Sequence, residues 1–253
     1  MDQALQGERV SKVPEVTLGF WALKILATTL GETGGDAVTM SMGLGYLAGT
    51  AIFAVVFAIA VAYQIRAERF HPVVYWTTIV ATTTVGTTLA DFADRSLGIG
   101  YAGGTSLLLA LLIASLIVWH RSMGSVSIES IVSPKAEVYY WTTIMFSQTL
   151  GTALGDWTAD DAGLGYAGSA LVFGAGLAAV AAAYRWTPVS RTSLFWAAFV
   201  LTRPLGAVVG DFLDKPLAKG GLELSRTGAS AALLGAMVLL LLVIPQRPAS
   251  RTH

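Results

Sequence analysis

Residues 20–46 read FWALKILATTLGETGGDAVTMSMGLGY: an aromatic residue and Trp21, then Gly31, Asp36 and the tetrapeptide Gly43-Leu44-Gly45-Tyr46. These marks return three times along the chain. Trp76, Trp141 and Trp196 follow at intervals of 55, 65 and 55, and the same intervals separate Gly31, Gly86, Gly151 and Gly206. Asp36, Asp91, Asp156 and Asp211 keep them too. Twelve positions in step, with no gap inside a unit, define a fourfold internal repeat. Seven residues past the Asp, Gly-Leu/Ile-Gly-Tyr recurs at 98–101 and 163–166; the fourth unit departs, with Gly220-Gly221-Leu222-Glu223 after nine.

The composition says what kind of unit repeats. Of 253 residues 54% are hydrophobic and only 13% charged, with a mean hydropathy of +0.64. Soluble domains are about 25% charged, so this is a membrane composition. Residues 44–63, 107–119, 162–184 and 227–245 carry no charge, and a helix needs about 20 apolar residues to span a bilayer. Each unit fits two spans, which predicts an all-α integral membrane protein of eight transmembrane helices near 17–38, 43–65, 73–94, 98–120, 137–158, 163–185, 192–213 and 224–245. They form four tandem helical hairpins in two pseudo-symmetric halves. Because every unit holds an even number of spans, the repeats are parallel, about an axis along the membrane normal. The division is a tail at 1–14, a first half at 15–120, a linker at 121–136 holding the ten-residue excess, a second half at 137–246 and a tail at 247–253.

The chain resembles a family of bacterial integral membrane proteins built from four tandem copies of a two-span repeat with a characteristic tryptophan. The likeness runs from Phe20 to about Ile244 and rests on the Trp, Gly, Asp and Gly-Tyr positions above. It implies the architecture and a bacterial inner membrane, and brings no activity.

Charge sets an expected orientation. Arg9, Lys12, Arg66, Arg69, Arg121, Lys135, Arg185, Arg191, Arg247 and Arg251 fall on the side of the termini; Arg95, Lys215, Lys219 and Arg226 fall on the other. Positive loops stay inside, so both termini are expected in the cytoplasm. With no cysteine, zero net charge and no basic run, thiolate sites, disulfides and nucleic-acid partners are not expected. No nucleophile–base pair, zinc set or phosphate loop stands out, so neither an enzyme nor a cofactor is expected; the expected partners are the lipid bilayer and a small cation.

The acids point to a site. From Trp to Asp is fifteen residues, about 22 Å of helix. With the repeated Trp and Tyr read as interface anchors, the four Asp lie well across the bilayer and Glu32 near its middle. Ionised groups there cost on the order of 3 kcal/mol and mark pathways or pairs. Thr29, Glu32 and Asp36 share a helix face, as do Thr84, Thr87 and Asp91, and Thr149, Thr152 and Asp156. Unit four replaces this rail with Arg203 and Pro204 before Asp211. The expectation is a cation transporter, with Glu32, Asp36, Asp91, Asp156 and Asp211 as ion-binding groups. Lys24, Arg203 and the named threonines support them. Glu32, Asp36, Asp91 and Asp156 form an all-oxygen set suited to a hard divalent metal of the Mn²⁺ or Mg²⁺ type, or to proton coupling through Glu32. A channel, or a sensor or structural protein without transport, remains an alternative, as does a purely structural ion pair of Glu32 with Lys24 or Arg203. Gly31, Gly35, Gly86, Gly151, Gly155, Gly206 and Gly210, at small-xxx-small spacing, are expected to pack helices.

Overall fold

The computed structural model describes residues 11–249; Arg9 and Arg251, counted above, lie outside them, as do the outermost parts of both tails. Eight long helices follow the eight expected spans: α1 (Leu18–Asp36), α2 (Tyr46–Arg66), α3 (Pro72–Asp91), α4 (Tyr101–Met123), α5 (Pro134–Asp156), α6 (Gly165–Trp186), α7 (Arg191–Asp214) and α8 (Arg226–Val243). The chain is an all-helical membrane protein of four tandem units. Five helices, α2, α4, α6, α7 and α8, are long and apolar enough to cross a bilayer by composition alone. The more polar α1, α3 and α5 are largely buried, which removes their threonines and acids from lipid.

The burial comes from a two-layer arrangement. The first helices of the units form a closed inner ring: α1 packs on α3, α3 on α5, α5 on α7, and α7 on α1. The second helices form an outer layer, each seated on the first helix of the next unit: α2 on α3, α4 on α5, α6 on α7, and α8 on α1. The expected hairpin is therefore open, with its principal packing made to its neighbour. No unit can bury its polar inner helix alone, so the circle must close for any of them to be covered.

The repeated tetrapeptide makes the turn between the layers. In units one to three the α-helix ends at the repeated Asp and continues as one wider π-helical turn: Ala37–Ser41, Phe92–Ser96 and Trp157–Asp161. Both glycines of Gly-x-Gly then take positive φ, +69° and +78° in unit one, a conformation that side chains resist. In unit four α7 runs unbroken through Pro204 to Asp214, and the chain needs a different exit. This accounts for the lost motif.

The repeated aromatic-Trp pairs close one end of the ring. Phe20 packs on Trp76 with centroids 5.5 Å apart, Tyr75 on Trp141 at 5.7 Å, Tyr140 on Trp196 at 6.3 Å, and Phe195 back on Trp21 at 5.8 Å. Trp76, Trp141 and Trp196 are buried, so the expected interface anchors are instead an aromatic plug linking successive units. The tails and linker lie over it. Lys12 pairs with Glu137 at 2.6 Å and donates to the carbonyls of Gln64 and Ile65 at the end of α2 and of Ala67 just past it. Val13 and Glu15 pair with the backbone of Ala249 and Arg247.

Within the plug, the Tyr75 and Tyr140 hydroxyls share a 2.6 Å hydrogen bond. Tyr75→Phe leaves the buried Tyr140 hydroxyl without that partner, at an expected cost of about 1–3 kcal/mol. The double change to Phe should recover most of it. Thermal melts of the detergent-purified protein read the difference; equal melts for single and double variants would contradict the pairing.

Candidate functional site

The side chains that line the ring axis follow from the repeat. Residues at matching positions in the four units form successive layers, four residues apart along each helix. From the aromatic plug outward these are Lys24/Ile79/Ile144/Phe199, then Thr28/Thr83/Gln148/Arg203, Glu32/Thr87/Thr152/Ala207, and Asp36/Asp91/Asp156/Asp211. All are buried.

Glycines bring the helices close enough for such layers. A Cβ added at Gly31 would strike Thr83, at Gly86 the backbone of Gln148 and Thr149, at Gly151 Arg203, and at Gly206 Thr28. Gly35, Gly155 and Gly210 repeat the contact one turn further, against Thr87, Ala207 and Glu32. Each unit thus offers its glycines to the axial residues of the next.

Arg203 occupies the middle of the axis. Its guanidinium reaches Glu32 at 2.9 Å and Thr87 at 2.6 Å, and also bonds Thr152. A single side chain from α7 therefore touches α1, α3 and α5. Its Nε and Nη1, and both amide atoms of Gln148 in the same layer, have no hydrogen-bond partner among the described residues. Lys24 is fully buried below, 3.5 Å from Thr202 Oγ1 and 4.1 Å from the Phe199 ring centre.

The aspartate layer lies on the far side of Arg203. Arg95 pairs with Asp91 at 2.9 Å and with Asp156 at 3.7 Å. Lys215 pairs with Asp211 at 2.9 Å and with Asp36. The two cations are matching residues of units two and four, each joining its own Asp to that of the following unit. This gives the layer a twofold pattern and makes the two halves visible in space. Burial opposes the charge of Lys215, but Asp211 and Asp36 outweigh it and hold the amine well above the ordinary lysine range, so it stays protonated. Arg226 joins the cluster through Asp214 at 2.8 Å and Asp36 at 3.9 Å. Above the layer opens a cavity of about 430 Å³, lined by Met40, Arg95, Tyr101, Asp160, Tyr166, Lys215, Pro216, Lys219 and Arg226.

A family model describing a repeat of unknown function, DUF347, matches residues 19–70, 74–125, 139–189 and 194–245. The chain belongs to the DUF347 family. No curated protein and no solved structure matches it. The four DUF347 repeats coincide with the four units of the ring.

The geometry of this DUF347 chain reorders the expected site. The axial face advances in steps of four, so Glu32, Asp36, Asp91, Asp156, Asp211, Thr87, Thr152 and Arg203 do meet on it, whereas Thr29, Thr84 and Thr149 do not join them. Those three hydroxyls donate to the carbonyls of Ile25, Val80 and Met145 on their own helices. Glycine contacts along i, i+4 rows set that register; an i, i+3, i+7 stripe is the weaker guide here. Glu32 is committed to Arg203, and Asp91 and Asp156 to Arg95, so the four-carboxylate metal set is not assembled. The carboxylates that do gather within 4.8 Å are Asp36, Asp211 and Asp214, with Lys215 among them. Arg95 and Lys215 were missed because they look like loop cations; the clue was their place four residues after a repeated Asp.

Proposed function

We propose that this DUF347 protein is a proton-coupled membrane transporter whose axial carboxylates carry the coupling cation. The observation that carries the reading is the charge deficit of the aspartate cluster: five converging buried carboxylates, the four axial aspartates and Asp214, meet three basic side chains, Arg95, Lys215 and Arg226. Asp36 Oδ1, Asp91 Oδ2 and Asp214 Oδ1 are buried with no hydrogen-bond partner among the described residues. An acceptor in that position is satisfied by taking a proton or a cation. The proton is favoured over a divalent metal because a metal at Asp36, Asp211 and Asp214 has to displace Lys215. A continuous pore is disfavoured by the aromatic plug at the other end. We place the protein in the bacterial inner membrane with both termini in the cytoplasm, following the loop charges, so that the cavity faces outward.

The test is proton movement in proteoliposomes prepared with chloride, phosphate and citrate present, compared with protein-free vesicles and monitored by an internal pH dye. Wild type should dissipate an imposed gradient, and Asp156→Asn or Asp91→Asn should slow it by more than about tenfold, the scale of a lost proton carrier, with folding intact. Flux unchanged in both variants, or absent from the wild type, overturns the reading. Movement of Mn²⁺ or Mg²⁺ without protons would instead make Asp36, Asp211 and Asp214 a metal site.

A further inference from the structure

The outer cavity presents a chemistry that the carboxylate layer does not use. Its lining carries four basic residues, Arg95, Lys215, Lys219 and Arg226, against a single acid, Asp160. Lys219 forms no ion pair among the described residues. Tyr101 and Tyr166 complete the wall; they are the tyrosines of the repeated Gly-x-Gly-Tyr motif. The matching Tyr46 accepts from Arg95.

We propose that this cavity binds a small carboxylate or phosphate anion, held by Lys219, Arg95, Lys215 and Arg226. The proposal rests on the proton-coupled reading above and names the substrate class. Cations in a concave wall focus potential on an anion, and an arginine guanidinium has the geometry for a bidentate contact with a carboxylate or phosphate. Two of the cations are shared between the cavity and the layer beneath it. Lys215 faces Asp36, Asp211 and Asp214, and Arg95 faces Asp91, Asp156 and the Tyr46 hydroxyl; Asp160 stands at the rim. With all these carboxylates ionised the neighbourhood is net negative and repels an anion. When the layer takes up protons, Lys215 and Arg95 are released to the cavity. Anion and proton thus bind better together than apart, and linkage makes the coupling reciprocal.

The experiment is direct binding of acetate, phosphate and citrate to the purified full-length protein in detergent, read by tryptophan fluorescence and calorimetry without any gradient. At least one probe should bind, and its affinity should rise as the pH falls from about 8 to about 5, by up to about tenfold per pH unit for each coupled proton. Lys219→Gln, which breaks no ion pair, should weaken binding by about tenfold and leave the melting temperature unchanged. No binding of any probe at either pH overturns the proposal, and so does binding that ignores both pH and Lys219→Gln. Because no flux is measured, failure of proton transport in liposomes is read separately from failure of anion binding.

Discussion

Arg203→Gln is expected to lose about 3–5 kcal/mol of stability, the cost of breaking a buried ion pair. The change strips from Glu32 its only ion pair among the described residues, the one Arg203 makes at 2.9 Å, and leaves an acid alone between four helices. It also removes the bonds to Thr87 and Thr152 that tie α7 to α3 and α5. Arg203→Lys keeps the charge; because all three bonds leave the single nitrogen Nη2, a shorter, more strongly hydrated ammonium replaces them in part, and an intermediate loss is expected. The double variant Glu32→Gln with Arg203→Gln removes both charges and should recover most of the stability. Melting of the detergent-purified proteins, with yield in the membrane as a second readout, checks this. If the double variant is no more stable than Arg203→Gln, the pair does not account for the loss.

Gly86→Leu is expected to abolish the folded ring, and Gly86→Ala to cost about 1–3 kcal/mol through overpacking. A Cβ at this position would lie 2.9 Å from Gln148 C and Thr149 N. Those are backbone atoms, with no rotamer to change, so α3 and α5 have to separate. The same opening would unseat the axial layers along their whole length. Gly174 and Gly235 supply the control: an added Cβ meets nothing within 4 Å at either. Alanine there should be neutral or stabilise by up to about 1 kcal/mol through helix propensity. A Gly86→Ala melt equal to that of Gly174→Ala would contradict the close-packed ring.

Much of the candidate site was legible before the fold. The five acids and Arg203 stood out because charge inside an apolar repeat is costly, and the structure brings all six to the axis. The metal set was misread because spacing along one helix does not report which cations arrive from another. Glu32 and Arg203 are 171 residues apart, and Asp36 and Lys215 are 179 apart; each pair meets through ring closure. Thr29, Thr84 and Thr149 were misplaced for a related reason. An i, i+3, i+7 stripe and an i, i+4 row diverge by a fraction of a turn, and only the glycine contacts between neighbouring helices say which of the two faces inward.

By itself, the sequence determined the four units, the eight helices and the parallel sense of the repeats. Those follow from spacing and from the length of apolar helix that a bilayer demands, quantities local to each segment. The tertiary structure alone decided that the units open and seat on one another, that the tryptophans plug the ring instead of anchoring it, and that Arg95 and Lys215 bridge the aspartates of successive units. Those are contacts between segments far apart in the chain. In an interior that excludes water, a polar group must find its partner wherever closure of the ring places one.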